Sequence, residues 1–258
     1  MLIISVLKTS KEFTPKHAQW LHKQLKGHPS VCLTDAGTIS GVNTVPLLHG
    51  LPGWWSKLEL FNPEHPDIGQ EDLLYIDIDT VVTGDISPLF ELDKMTMLSD
   101  FGSANPHEAP LASGLMYIPA AEKYKAWNAF WRNPEKIMTR PRIPPFHGDQ
   151  GFLSEIYPDA QRFQVLFPNQ ILSYKADIAT EQMYGHDPDI FRGDNSGVLP
   201  EEARIVCFHG FPRPWKTGLK WIPRLSILQT AKTGFRKAKK YCLRSAKPSD
   251  KSTYTTNA

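Results

Sequence analysis

The sequence predicts an α/β fold: one domain built on a mostly parallel central sheet flanked by helices. Two observations predict it. Short apolar runs alternate with amphipathic runs across the first 130 residues, the pattern of strands joined by helical crossovers. The 258 residues, 41% of them hydrophobic, suffice for one large domain with a short appendage.

Each element follows from its own residues. Residues 2–7 are a short β-branched run before a polar loop and read as a buried strand. Thr14 caps a helix that Pro15 opens, Ala18, Leu21, His22 and Leu25 repeat at helical spacing, and Gly27 ends it. Residues 31–34 form a second strand, stopped by Asp35-Ala36-Gly37, and residues 43–48 a third. Residues 54–61 read as a short helix between Pro52-Gly53 and Asn62-Pro63. Leu73-Leu74-Tyr75-Ile76 is the clearest buried strand and runs directly into Asp77-Ile78-Asp79. A short helix over 86–92, strands over 95–98 and 115–118, and a helix over 119–131 follow. Tyr124, Trp127 and Trp131 share one stripe of that helix, which the spacing assigns to the core. Beyond Pro134 the pattern loosens into a proline-rich loop over 139–147, a short helix over 148–156 and a late strand over 205–208. A basic amphipathic helix over 217–244 places Leu225, Leu228, Ala231 and Phe235 on one side, and the polar segment 245–258 reads as a disordered tail.

Charge is divided unevenly. Residues 213–258 hold twelve Lys/Arg against Asp250 alone, and the 212 residues before them hold 17 basic and 26 acidic side chains. An acidic body is not the footprint of a nucleic-acid reader, so no nucleic-acid partner is expected. The basic helix suits peripheral contact with an anionic membrane. Cys32, Cys207 and Cys242 are odd in number and widely spaced, which excludes a disulfide framework or zinc pattern and favours a reducing compartment. The opening apolar run is too short for a signal-peptide core or membrane span. A soluble, cytoplasmic protein is expected.

Ligands of open α/β sheets gather outside the carboxyl ends of the strands, where Asp77 and Asp79 lie. Two carboxylates one residue apart approach a single divalent ion if the backbone turns between them. Such hard oxygen ligands suit magnesium or manganese, whose other positions can go to phosphate oxygens. A second reading is open. Ile76-Asp77-Ile78-Asp79-Thr80 is similar to the first motif of haloacid-dehalogenase-type phosphatases, a nucleophilic Asp followed by an acid/base Asp. That motif usually stands near the amino terminus, whereas some 76 residues precede it here.

The flanking residues extend the pattern. Residues 74–82, from Leu74-Tyr75-Ile76 through Asp77 and Asp79 to Val82, with Gly84-Asp85-Ile86-Ser87-Pro88-Leu89-Phe90, resemble the D-x-D region of the glycogenin-like (family 8) glycosyltransferases. Trp55-Ser56-Lys57-Leu58, Ser99-Asp100, Ala112-Ser113-Gly114, His147-Gly148-Asp149-Gln150-Gly151 and His209-Gly210-Phe211-Pro212-Arg213-Pro214-Trp215 resemble further family segments in the family's order. Ala112 replaces the usual Asn, Gly210 directly follows His209, and Arg213 stands where Lys is usual.

The resemblance spans residues 1–216 and implies a GT-A (Rossmann-like) fold, a nucleotide-sugar donor with uridine favoured, and manganese or magnesium. Asp77, Asp79 and His209 become the metal ligands. The donor site takes in Lys8, Thr9, Lys57, Asp77, Ile78 and Asp79, then Asp100, Gly210 and Arg213. Asp149 and Gln150 become the catalytic pair at the reacting carbon. The implied function is metal-dependent, retaining transfer of a hexose to a carbohydrate, lipid or protein acceptor. The alternatives are the phosphatase and an inactive relative that only binds nucleotide sugar.

Overall fold

The computed structural model describes residues 1–103, 105–140, 148–179 and 197–225. Among the described residues ten strands form: β1 (Leu2–Leu7), β2 (Ser30–Thr34), β3 (Asn43–Pro46), β4 (Leu73–Ile76), β5 (Val81–Val82), β6 (Thr96–Ser99), β7 (Leu111–Ile118), β8 (Gln161–Arg162), β9 (Ile171–Ser173) and β10 (Ile205–Cys207). Five α-helices accompany them: α1 (Pro15–Gln24), α2 (Lys123–Trp131), α3 (Pro134–Met138), α4 (Gly148–Ile156) and α5 (Phe163–Leu166). The main sheet has seven strands in the order β3-β2-β1-β4-β7-β6-β8. Its first four strands are parallel, β7 runs antiparallel to both neighbours, and β8 pairs parallel with β6. The mostly parallel sheet expected from the strand and helix alternation is therefore present.

The antiparallel β7 decides the site's layout. Its register sets Ile76 opposite Leu115, and the Asp77 amide continues the ladder to the Gly114 carbonyl at 3.0 Å. Gly114 thus stands beside the acidic pair, and Ser113 next to it reaches Asp149, 36 residues further along the chain. Of a second sheet, β5-β10-β9, the sequence showed only β10, as the late strand over 205–208; β5 and β9, two and three residues long, were not legible. β5 follows Asp79 almost directly and pairs with β10, so the late segment carrying His209 is tied to the acidic pair by backbone bonds.

Other expectations shift. Residues 53–61 form a 3-10 rather than an α-helix, and so do Ser87–Glu91 and Ala120–Glu122. In the first of these Trp55, Leu58 and Phe61 recur every third residue and all three are buried, matching the tighter three-residue turn. Of the stripe of α2 assigned to the core, Trp127 is half-buried against it, whereas Tyr124 is 50% and Trp131 40% exposed. α2 buries Ala126 and Phe130, because Phe130 packs on Trp55 (5.8 Å between ring centres) and on Phe152 of α4 (6.0 Å). Trp127 and Trp131 lean on His49.

Residues 1–225 form one unit, nine residues longer than the 1–216 core expected. Residues 217–225, the expected start of the basic helix, carry no helix: Gly218 has φ +74° and Pro223 cannot donate a helical bond. They pack instead on the body, with Ile222 buried and the Pro223 carbonyl accepting from Trp20 Nε1 at 2.7 Å. The remainder of that helix and the tail lie outside the described residues, as do His147 and most of the 139–147 loop. No helix among the described residues is long and apolar enough to cross a membrane.

Candidate active site

β4 is buried at all four residues, so its carboxyl end is held rigidly and Asp77 and Asp79 emerge from it. Asp77 Oδ1 accepts the Ile78 amide and the Tyr75 hydroxyl, each at 3.0 Å. Asp79 is 4% exposed and takes the Arg213 guanidinium on Oδ2. Burial and the neighbouring Asp77 raise the proton affinity of Asp79 well above the usual carboxylate range, and Arg213 opposes that rise only in part. A like-charged acid pair with one member buried and the other half-buried is stabilised by a cation.

A second cluster adjoins the first. Lys57 Nζ lies 2.9 Å from Asp149 Oδ2 and 3.1 Å from Ser113 Oγ, and Ser113 donates to the same Asp149 oxygen at 2.7 Å. Burial by itself lowers the lysine's proton affinity. Asp149 first, then Asp77 and Asp79, hold its affinity above the ordinary value instead. Lys57 also sits 5.7 Å from the ring of Tyr75, whose hydroxyl binds Asp77, so the two clusters share one wall. Gln150 donates its amide to Asp100 Oδ2 at 3.3 Å. The loop holding Asp100 turns on a bond from the Gly102 amide to Asp100 Oδ1 at 2.7 Å.

His209 enters from the small sheet. Pairing of Cys207 with Ser173 brings its Nε2 2.8 Å from Ser173 Oγ, and its ring stacks on Phe101 at 5.6 Å and 9°. Burial, then Lys175, lower its pKa to about 4, which keeps the imidazole neutral at pH 7. A neutral imidazole is the form that ligates a metal. Gly210 takes φ +77°, and Lys175 Nζ lies 3.5 Å from the point a Cβ there would reach. Arg213 is shared between Asp79 and Glu12, whose Oε1 lies 2.6 Å from Nε, and its guanidinium lies over Phe13 and Phe211 at 4.8 and 5.4 Å.

Two carboxylates and a neutral imidazole are a donor set suited to manganese or magnesium. Among the described residues, however, no three His, Cys, Asp or Glu side chains are gathered tightly enough to enclose an ion. Asp79 is engaged by Arg213 and His209 by Ser173. Three further members of the expected donor set have partners within the protein. Ile78 turns its side chain into a small core with Leu7, Ala18, Cys32 and Ile39, because it alternates with the acids, and its amide is taken by Asp77. Lys8 pairs with Asp35 at 2.9 Å, and the Thr9 amide donates to the same carboxylate at 2.9 Å, so Asp35 shapes the first loop.

Sequence reasoning missed Ser113 as an individual contributor, Lys175, Ser173 and Glu12. Ser113 was signalled by its segment. Lys175 and Ser173 were hidden because β9 is only three residues long, and Glu12 because nothing local marks a partner 201 residues away.

No protein-family model matches the chain. By sequence it is 25% identical over 179 residues to inositol phosphorylceramide glucuronosyltransferase 1 of Arabidopsis thaliana, covering 66% of this chain and 30% of that protein. The chain thus spans under a third of the length of that curated relative. Its fold resembles an active-site mutant of LgtC, with TM-score 0.51 and 13% identity over 96% of this chain and 98% of that one. It also resembles the glycosyltransferase GlyE of Streptococcus pneumoniae, with TM-score 0.54 and 16% identity over 84% of this chain and 56% of that one. These likenesses show the fold, which is GT-A-like.

Proposed function

We propose that this protein is a metal-dependent glycosyltransferase that moves a hexose from a nucleoside diphosphate sugar, with uridine the favoured nucleoside, to a carbohydrate, lipid or protein acceptor. One observation carries the reading. An acidic pair at the end of β4 shares one wall with the Lys57–Asp149–Ser113 cluster, and Arg213 converges on the same pair. Acids that hold a cation, cations that hold a diphosphate, and a polar group aimed at a sugar are the three requirements of this chemistry.

In the proposed site Asp77 and Asp79 hold manganese or magnesium, with His209 turning from Ser173 to complete the set. The bound ion supplies neutralisation of the donor diphosphate. Arg213 and Lys175 stabilise charge on the departing nucleoside diphosphate, Arg213 through its planar fork. The loop with Lys8 and Thr9 cradles the nucleoside. Asp100 accepts from sugar hydroxyls and Gln150 faces the reacting carbon. Asp149 is locked by Lys57 and Ser113, so its carboxylate positions the sugar rather than attacking it. That supports retention with attack and departure on one face instead of a covalent two-step route.

The phosphatase alternative expects the acidic pair on the first strand of its domain. Here the pair follows the fourth strand, in a GT-A fold. The basic segment beyond Leu225 we assign to contact with an anionic membrane. The test is release of nucleoside diphosphate from a panel of nucleotide sugars, with manganese and with chelator, beside simple phosphate esters. Manganese-dependent turnover of one donor supports the proposal. Turnover of phosphate esters alone, or donor binding without turnover in the presence of a broad acceptor panel, contradicts it.

A further inference from the structure

Arg213 occupies both edges of its guanidinium within the protein. Nε bonds Glu12, in the loop between β1 and α1, and NH1 bonds Asp79, while Phe13 and Phe211 hold the flat face. Glu12 and Arg213 stand 201 residues apart in the chain and lie outside any regular element. The bond therefore closes the first loop onto the late His209–Arg213 segment, across the acidic pair. The arginine holds Asp79 Oδ2, one of the two oxygens with which this carboxylate could meet a divalent ion.

Resting on the donor-site reading above, we infer that the Glu12–Arg213–Asp79 bridge is a stand-in for the donor. Arg213 neutralises Asp79 in the free protein and transfers to the diphosphate when donor and cation arrive together. A guanidinium seated on Asp79 repels a divalent ion brought to the same carboxylate, so Arg213 and the ion compete for Asp79. A diphosphate reverses the relation. It offers Arg213 a bidentate partner and releases Asp79, so nucleotide and ion favour each other's binding by the same factor. Glu12 is then a positioning residue that holds the arginine back until phosphate displaces it.

The competition gives Arg213→Ala an effect opposite to that of losing an ordinary phosphate ligand. Binding of manganese to the full chain is read from the spectrum of free ion by electron paramagnetic resonance, with and without uridine diphosphate. Arg213→Ala is expected to bind manganese alone about tenfold more tightly than the unaltered protein, and to lose most of the gain that the nucleotide confers. Glu12→Gln, at a half-exposed side chain that does not threaten folding, is expected to bind uridine diphosphate with manganese about threefold more tightly, since Arg213 starts with one partner fewer. Equal or weaker manganese binding by Arg213→Ala, or unchanged nucleotide binding by Glu12→Gln, overturns the inference while leaving the donor site standing. Failure of the unaltered protein to take up manganese with uridine diphosphate overturns the donor-site reading, and the inference with it.

Discussion

At the scale of single residues the site depends on side chains that hold one another. Lys57 is almost wholly buried between Asp149 and Ser113. Replacing it with Met leaves Asp149 as an uncompensated buried charge. Breaking a buried pair from one side costs about 3–5 kcal/mol, so Lys57→Met is expected to lose stability of that order in urea unfolding. Gly148 is the second such residue. Its φ is +65°, and a Cβ there would lie 2.8 Å from Trp54 Nε1. Gly148→Ala must therefore move the start of α4 or displace Trp54, taking Asp149 and Gln150 with it. Donor turnover is expected to fall by about 10–100-fold, given the sensitivity of catalysis to displacements of an ångström. Unchanged turnover in a steady-state assay would show that α4 tolerates the shift.

At the scale of elements, His22 joins α1 to the sheet. Its Nε2 lies 2.9 Å from Ser5 Oγ on β1 and its Nδ1 3.0 Å from Ser30 Oγ on β2. Burial lowers its pKa to about 4. The unfolded chain binds this proton at about 6.5, so between the two values unfolding takes up a proton. Stability from this group is complete above about pH 6.5 and is lost as the pH falls through about 4, to a total of roughly 3 kcal/mol. His22→Gln is expected to flatten that part of the curve, measured as the difference in unfolding free energy from the parent at pH 7 and pH 4.5. A parallel curve would place the titration elsewhere.

The elements also show what was legible beforehand. β1, β4, α1 and α4 appear where periodicity and capping signals put them, because long apolar runs and a Thr-Pro start are local properties. The acidic pair was legible for the same reason. Of the small sheet only β10 was, since strands as short as β5 and β9 exist only through their partners. Nor was the outward face of α2. A stripe of Tyr124, Trp127 and Trp131 has core spacing, but Phe130 meets Trp55 and Phe152, and that contact sets the helix rotation. Pairings such as Arg213 with Glu12 depend on the closed fold and leave no trace in spacing.

At the scale of the whole molecule, an acidic body is joined to a strongly basic end: eight Lys/Arg stand against Asp250 after Leu225. Residues 219–225 belong to the body through Ile222 and Pro223, so a truncation that tests the basic end begins after Leu225. That truncation is expected to abolish sedimentation with anionic vesicles at low salt and to leave the thermal midpoint of residues 1–225 little changed, because the charge attraction lies in the removed segment. Equal sedimentation of both forms would remove the membrane proposal.

The central claim is that the acids at the end of β4 hold the ion that serves the donor diphosphate. Its most direct test is manganese-dependent release of nucleoside diphosphate from the best donor of the panel, compared between the parent protein and Asp77→Ala, with both confirmed folded. The account predicts turnover in the parent that chelator abolishes, and a loss of at least about 100-fold in Asp77→Ala. Equal metal-dependent turnover by the two proteins would contradict it.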